Sequence, residues 1–270
     1  QFFVTSFLTP KQAKDQVDCV ARAIYESVFN WLIAKINQAI AVPGVGTPDE
    51  PAWIGLLDIF GFEVMPQNSL EQLFINFANE KLQQFFVTNF FRAEETMYEE
   101  EEITDCEVIF TDNDAVIKVI DEPKKGIYAI LEDQCKVDTG TDESFLNGLR
   151  QGQGHYNKDT QLFSEGKGKD ANTVFIVHHS MTAVTYHIID FRQKNIEALT
   201  PHQVECLCNS KDPIMKECYT PEVLAAAREA KKTYSTASFK QSVASLIHVL
   251  GSSFPFFLRC LKPNQTKLPN

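Results

Sequence analysis

A chain of 270 residues, 44% of them hydrophobic, can bury the core of one large domain or two small ones, which excludes a disordered chain. Its formal net charge of −11, gathered between Glu94 and Glu122, argues against a nucleic-acid partner, and seven cysteines without a C-x-x-C pair fit free thiols in a reducing cytosol better than disulfides or structural zinc. No apolar run approaches the roughly twenty residues that span a bilayer, the N-terminus carries no secretory pattern, and the chain starts and stops without terminal features, as an excised piece would.

Thr9-Pro10-Lys11-Gln12 opens a helix with a capping hydroxyl, a proline where no N–H is needed, and a glutamine that reaches back. Val17, Val20, Ala21, Ile24, Val28, Trp31, Leu32 and Ile36 then recur at three and four. Residues 9–41 are therefore read as one long amphipathic core helix, ending at Val42-Pro43-Gly44. Trp53 to Phe60 is a short apolar run between Pro51 and Gly61, the pattern of a strand buried on both faces; residues 53–63 are read as that strand and its turn. Asn68-Ser69 starts a second long helix, residues 68–98. Glu71 or Gln72 completes its cap, and Leu70, Leu73, Phe74, Phe77, Leu82, Phe85 and Phe86 form its stripe.

Beyond the acidic stretch, Glu107 to Phe110 and Val116 to Ile120 are apolar runs of either type. Gln151 to His155 and Gly166 to Asp170 read as exposed loops, and Val174 to His178 with Ala183 to Ile188 as a hairpin. Thr200-Pro201 and Asp212-Pro213 each start a short helix. Ser238 to Leu250 is a helix stopped by Gly251, and Phe256 to Leu261 a buried strand closed by Pro263, so residues 238–264 pair a core helix with a strand.

Asp58-Ile59-Phe60-Gly61-Phe62-Glu63 follows the first apolar run. An aspartate at a strand end can hold magnesium through water, and a glycine three residues on lets a backbone N–H approach a phosphate that a side chain would obstruct. Alone, D-x-x-G reads equally as a strand end with a tight turn. Glu94 to Glu102 lack EF-hand spacing and read as a solvated helix end. His178 and His179 lack partners at metal or triad spacing and read as structural.

The helix behind that turn runs Asn68-Ser69-Leu70-Glu71-Gln72-Leu73-Phe74-Ile75-Asn76-Phe77-Ala78-Asn79-Glu80-Lys81-Leu82-Gln83-Gln84. At this distance after D-I-F-G-F-E it resembles the relay helix that follows switch II in the myosin motor family. Trp53 to Leu57 resembles the strand entering switch II, and Gly126 to Cys135 the family's strand and L-D-E-E-C segment. Val184-Thr185-Tyr186 with Phe191, Lys194 and Asn195 resembles its V-T-Y and G-F-x-x-K-N signatures, and Phe257 to Asn264 its F-I-R-C-I-K-P-N strand. The resemblance implies an α/β, predominantly helical chain: a partial P-loop motor fold, or myosin head fragment, with a few strands of the central sheet.

It also implies roles. Asp58 would support Mg2+ through water, Gly61 would contact the γ-phosphate of ATP, and Glu63 would pair with a switch I arginine. Neither G-x-x-x-x-G-K-[ST] nor N-x-x-S-S-R occurs in the chain, so by itself it is expected neither to bind ATP tightly nor to hydrolyse it. Residues 194–219 resemble the helix-loop-helix that docks on actin, with Lys194, Lys211 and Lys216 as charge and Ile214 and Met215 as apolar area. An internal hairpin with those two apolar residues facing a core is the alternative. Residues 220–237 stand where the family has a surface loop in ionic contact with actin, here through Arg228, Lys231 and Lys232, although alanine-rich Leu224 to Lys232 also suits a solvated helix.

The implied whole is a cytoplasmic, actin-activated ATPase of the actin cytoskeleton. Its partners would be F-actin and, outside this chain, the rest of the motor domain, the converter and light chains, with no nucleic acid and no membrane span. The stripe at Phe74, Phe77, Phe85 and Phe86 would pack on the helices from Val17 and Phe239. A non-catalytic actin-binding or scaffold module derived from a motor is the alternative.

The family pattern also breaks in places. Glu101-Glu102-Ile103-Thr104-Asp105 stands where most myosins read E-G-I-x-W, losing the glycine and the tryptophan that rests on the converter. His179 to Tyr186 stands in place of H-Y-A-G-x-V-T-Y, and Asp190 replaces the glycine before Phe191. These departures resemble the divergent class XIV myosins of apicomplexan parasites more than muscle or class I forms.

Overall fold

The computed structural model describes residues 7–41, 54–103, 110–157, 161–196, 199–229 and 234–258. Helix α1 is Pro10–Ile40; α2, Leu70–Phe86, continues through a π-helical turn, Val87–Phe91, into α3, Arg92–Glu100. There follow α4 (Asp114–Asp121), α5 (Ile127–Lys136), α6 (Asp142–Asn157), and strands β1 (Phe163–Glu165), β2 (Val174–His178) and β3 (Ala183–His187). The last helices are α7 (Phe191–Ile196), α8 (Pro201–Cys208), α9 (Pro213–Cys218), α10 (Pro221–Glu229) and α11 (Ser235–Gly251). The architecture is predominantly helical, as the sequence predicts. Two compact units arise, Gln1–Ile59 with Ile196–Tyr234, and Phe60–Asn195 with Ser235–Asn270.

In the first unit the capping box forms at Thr9: its hydroxyl accepts from the Gln12 N–H while its own N–H donates to Gln12 Oε1. Along α1, Gln16 accepts from Gln203 of α8, Ser27 donates to the Tyr219 hydroxyl, and Trp31 Nε1 and Lys35 Nζ both reach Glu217 Oε2 at 2.8 Å. Residues 27, 31 and 35 are four apart, so one face of α1 receives the short helices. Those helices start where Thr200 and Asp212 accept the first amides, with proline next. Much of the apolar row stays open: Val17, Leu32 and Ile36 are exposed. The expected surface loop at 220–237 is helical over Pro221–Glu229. Thr220 Oγ1 accepts from the Val223 N–H, proline fits the first turn, and Ala225 to Ala227 favour helix.

In the second unit, Leu70, Leu73 and Phe77 of α2 are buried, and the Ser69 N–H donates to Gln72 Oε1, so Gln72 rather than Glu71 completes the cap. Phe74 and Phe77 meet the Tyr128 ring edge-on at 5.7 and 5.3 Å, and Phe74 stacks on Phe239 of α11 at 4.5 Å. Val17, the other expected partner of this stripe, belongs to the first unit, while Phe85 and Phe86 meet Phe257. Each fully buried ring contributes roughly 1.5–3 kcal/mol. Strands β1, β2 and β3 form an antiparallel meander with Phe163 opposite Val177 and Phe175 opposite Tyr186, which stacks Phe163, Phe175 and Tyr186 in one layer.

Several predicted elements come out differently. Residues 54–60 form no strand, and Ile54, Leu56 and Phe60 are exposed. A buried strand needs neighbours to receive its backbone N–H and C=O groups, and no described segment pairs with this one. The same holds for Phe256 to Leu258; Trp53 and residues 259–261 lie outside the described residues. The sheet among the described residues is the 163–187 meander.

Gly126 to Cys135 is not a strand: Gly126 is the N-cap of α5, whose buried Ile127, Tyr128, Ile130, Leu131 and Cys135 follow a helical period. Val116 to Ile120 likewise belongs to α4. Residues 151–155, read as a loop, lie within α6. A Cβ on Gly148 or Gly152 would stand 2.9 or 2.8 Å from the side chain of Ile130. These glycines four apart let α5 approach closely, so they mark a helix contact and not a turn.

Candidate functional site at the turn after Asp58

Residues 60–65 form no regular structure, and the side-chain amides of three asparagines supply much of the hydrogen bonding of their backbone. Asn79 Nδ2 donates to the Phe60 carbonyl at 2.9 Å. Asn76 grips Glu63 in both directions: Oδ1 accepts from its N–H at 2.8 Å and Nδ2 donates to its carbonyl at 3.0 Å. Asn68 Oδ1 accepts from the Met65 N–H, and its Nδ2 donates to the carbonyls of Met65 and Thr185. Two of the three lie on α2, so the turn and the helix are clasped together without a shared backbone ladder. Gln72 Nε2 also reaches Glu63 Oε2 at 3.3 Å. Gly61 sits where an added Cβ would meet nothing within 4 Å, so the fold around it does not require glycine there.

Behind the clasp lies a buried polar chain. Asn76 Nδ2 donates to the Tyr186 hydroxyl at 2.8 Å, that hydroxyl lies 2.7 Å from His179 Nε2, and His179 Nδ1 lies 3.1 Å from Glu80 Oε1. Glu80 Oε1 also accepts from the Ser180 N–H, and Oε2 from Asn113 Nδ2. Burial alone would raise the Glu80 carboxyl, but hydrogen bonds from His179, Asn113 and Ser180 outweigh it and hold the group below its ordinary pKa. Burial pushes the Tyr186 hydroxyl up. His179, without partners at metal or triad spacing in the sequence, has them here in Glu80 and Tyr186. The signal for them was on α2, where Asn76 and Glu80 stand four apart on the face that carries Leu73 and Phe77.

The family model for the myosin head (motor domain) matches residues 2–270. The chain belongs to the myosin head family. It is 36% identical over 267 residues to a Myosin-I heavy chain of Dictyostelium discoideum, covering 97% of this chain and 11% of that protein. Myosin-A of Plasmodium falciparum is 36% identical over 250 residues, with 93% and 30% covered. Unconventional myosin-Id of Danio rerio is 34% identical over 268 residues, with 97% and 27% covered. The chain thus spans less than a third of the length of each of these relatives. The Myosin-A and the Myosin-I heavy chain match at the same identity, so identity does not favour the apicomplexan subclass over class I.

In this myosin chain Gly61 and Glu63 share the clasped turn, and Asp58 lies in the exposed segment before it. No group of three potential metal-ligating side chains occurs among the described residues. Lys194 belongs to the second unit, where its ammonium donates to Ser69 Oγ and Glu71 Oε2 at the start of α2. Lys211, Ile214, Met215, Lys216 and Arg228 belong to the first unit. There Lys211 and Lys216 are exposed and Ile214 and Met215 half-buried, while Arg228 reaches Glu205 at 3.3 Å. Lys231 and Lys232 lie outside the described residues. No helix among the described residues is long and apolar enough to cross a membrane.

Proposed function

We propose that this chain is part of an actin-based, ATP-driven motor, in which the turn at residues 58–63 acts as switch II and α2 as the relay helix. The observation that supports this best is the asparagine clasp: a displacement of the Phe60 and Glu63 peptides is carried to α2 through Asn79 and Asn76. Helix α2 continues without a break through the π-helical turn into α3, so the pull is delivered along one rod.

When bound in the complete motor, ATP with Mg2+ supplies the terminal phosphate whose presence or absence biases the turn. On this reading the Gly61 N–H faces the γ-phosphate and Asp58 the magnesium through water. Glu63 is then left to meet a switch I arginine that this chain does not contain. Lys211, Ile214, Met215 and Lys216, together with Arg228, Lys231 and Lys232, form the contact with F-actin. Lys194, tied to Glu71, is better suited to holding the start of α2 than to meeting a filament. The motor so described is an actin-activated ATPase of the cytoplasmic actin cytoskeleton, completed by the remaining motor domain, converter and light chains.

The test is Gly61→Ala in the complete motor. Space around Gly61 within this chain tolerates a methyl group, so the variant should fold and yet lose nearly all ATP turnover; turnover at the wild-type rate would overturn the reading. The 270-residue chain alone should bind ATP no more tightly than about 1 mM, and micromolar affinity would contradict the division of labour proposed.

A further inference from the structure

We propose that Tyr186 and His179 are positioning residues for the switch turn, acting on it through Asn76; the purpose of this arrangement rests on the phosphate-sensing reading above. The hydrogen-bond directions leave little choice. Asn76 Oδ1 takes the Glu63 N–H, so the amide cannot be flipped, and its two N–H groups go to the Glu63 carbonyl and the Tyr186 hydroxyl. Having accepted there, Tyr186 gives its own proton to His179 Nε2. The imidazole proton is thereby set on Nδ1, aimed at Glu80 Oε1. Asn76, Tyr186 and Glu80 are each 0% exposed and His179 6%, so no water substitutes for a lost partner.

The hairpin anchors the chain's far end. Tyr186 is fixed opposite Phe175 and stacked on it at 5.4 Å, and the Ser180 N–H at the β2–β3 turn closes on Glu80 Oε1. A separate tie runs beside it, from the His187 N–H to the Asn68 carbonyl at 2.8 Å. The switch turn is thus registered against two elements, α2 and the hairpin, with Asn76 as the shared joint. A turn held only by its helix would follow every motion of that helix; this one has a second reference.

The experiment is amide hydrogen exchange in the 270-residue chain, comparing Glu63 with Leu131, a fully buried residue of α5. Tyr186→Phe removes the hydroxyl and leaves both Asn76 Nδ2 and His179 Nε2 short of a partner. Exchange at Glu63 should accelerate about tenfold relative to Leu131. His179→Leu, which does not touch Asn76, should give the same selective effect. It also serves as the second variant should Tyr186→Phe fail to fold. Equal acceleration at both amides, or none at Glu63, would mean that these side chains only fill the core and would overturn the inference. The readout needs no nucleotide. A Gly61→Ala motor with normal turnover would end the phosphate-sensing reading and leave this result standing, and uniform exchange would do the reverse.

Discussion

Glu80 and His179 meet at 3.1 Å with both side chains wholly removed from solvent. The Glu80 carboxyl is held below its ordinary value of 4.5, so its contribution to stability is fully present above about pH 4.5 and is lost as pH falls through the lower folded value. Asp142 acts in the opposite sense. Burial raises its carboxyl above 3.8, against the amides of Arg192 and Asp190, so its contribution is lost as pH rises through that window. Comparing Glu80→Gln with the parent chain separates the two. The variant should lose roughly 1–3 kcal/mol at neutral pH, and the gap in urea midpoint should close as pH falls below 4.5. A gap independent of pH would show that the carboxylate is not the source.

Helix α6 meets α5 across Gly148 and Gly152. Either alanine substitution alone gives Ile130 one way to move, and the gain in helix propensity, about 1 kcal/mol, offsets much of the crowding. The double variant Gly148→Ala/Gly152→Ala closes both routes and should cost roughly 1–3 kcal/mol. Adding Ile130→Val should restore part of the loss in a thermal melt. No rescue by valine would place the strain elsewhere.

Asp190 stands in the left-handed region at φ 63°, where the family pattern has glycine. Its carboxylate also raises the neighbouring Asp142 by like charge. Asp190→Gly should stabilise the chain by about 0.5–1 kcal/mol. A lowered urea midpoint would show that the carboxylate contributes more than the backbone strain removes.

In the complete motor, Lys211→Ala and Lys216→Ala should weaken actin co-sedimentation by about two- to fivefold at low salt, and the difference should shrink as ionic strength rises. Ile214→Ala should cost about tenfold at all salt concentrations, because apolar contact is not screened. Unchanged binding in all three would move the filament contact away from α9.

What the sequence disclosed depended on how local the signal was. Capped helix starts at Thr9, Thr200 and Asp212 are written in four consecutive residues, and each one forms. The stripe on α2 is legible for the same reason, and so is the hairpin at 174–187. The apolar runs at 54–60 and 256–258 have the composition of buried strands, but composition does not supply a neighbour, and a strand exists only beside another. Gly152 falls in the stretch read as a loop, Gln151 to His155, whereas it and Gly148 both face a single isoleucine on another helix. The clasp was the least visible part. Asn68 reads only as part of a helix start, and nothing in the spacing of Asn76 and Asn79 pairs them with the turn that they hold.

The π-helical turn has a consequence for distance. The Arg92 N–H reaches back five residues to the Val87 carbonyl, and Phe86 meets Phe91 edge-on at 5.5 Å. One amino acid is looped out of the rod's count at that point, so the rod beyond it is about 1.5 Å shorter than its residue number suggests and its sides are rotated by about 100°. The acidic tip at Glu99 to Glu102 therefore points to a compass bearing that extrapolation from Leu70 would miss.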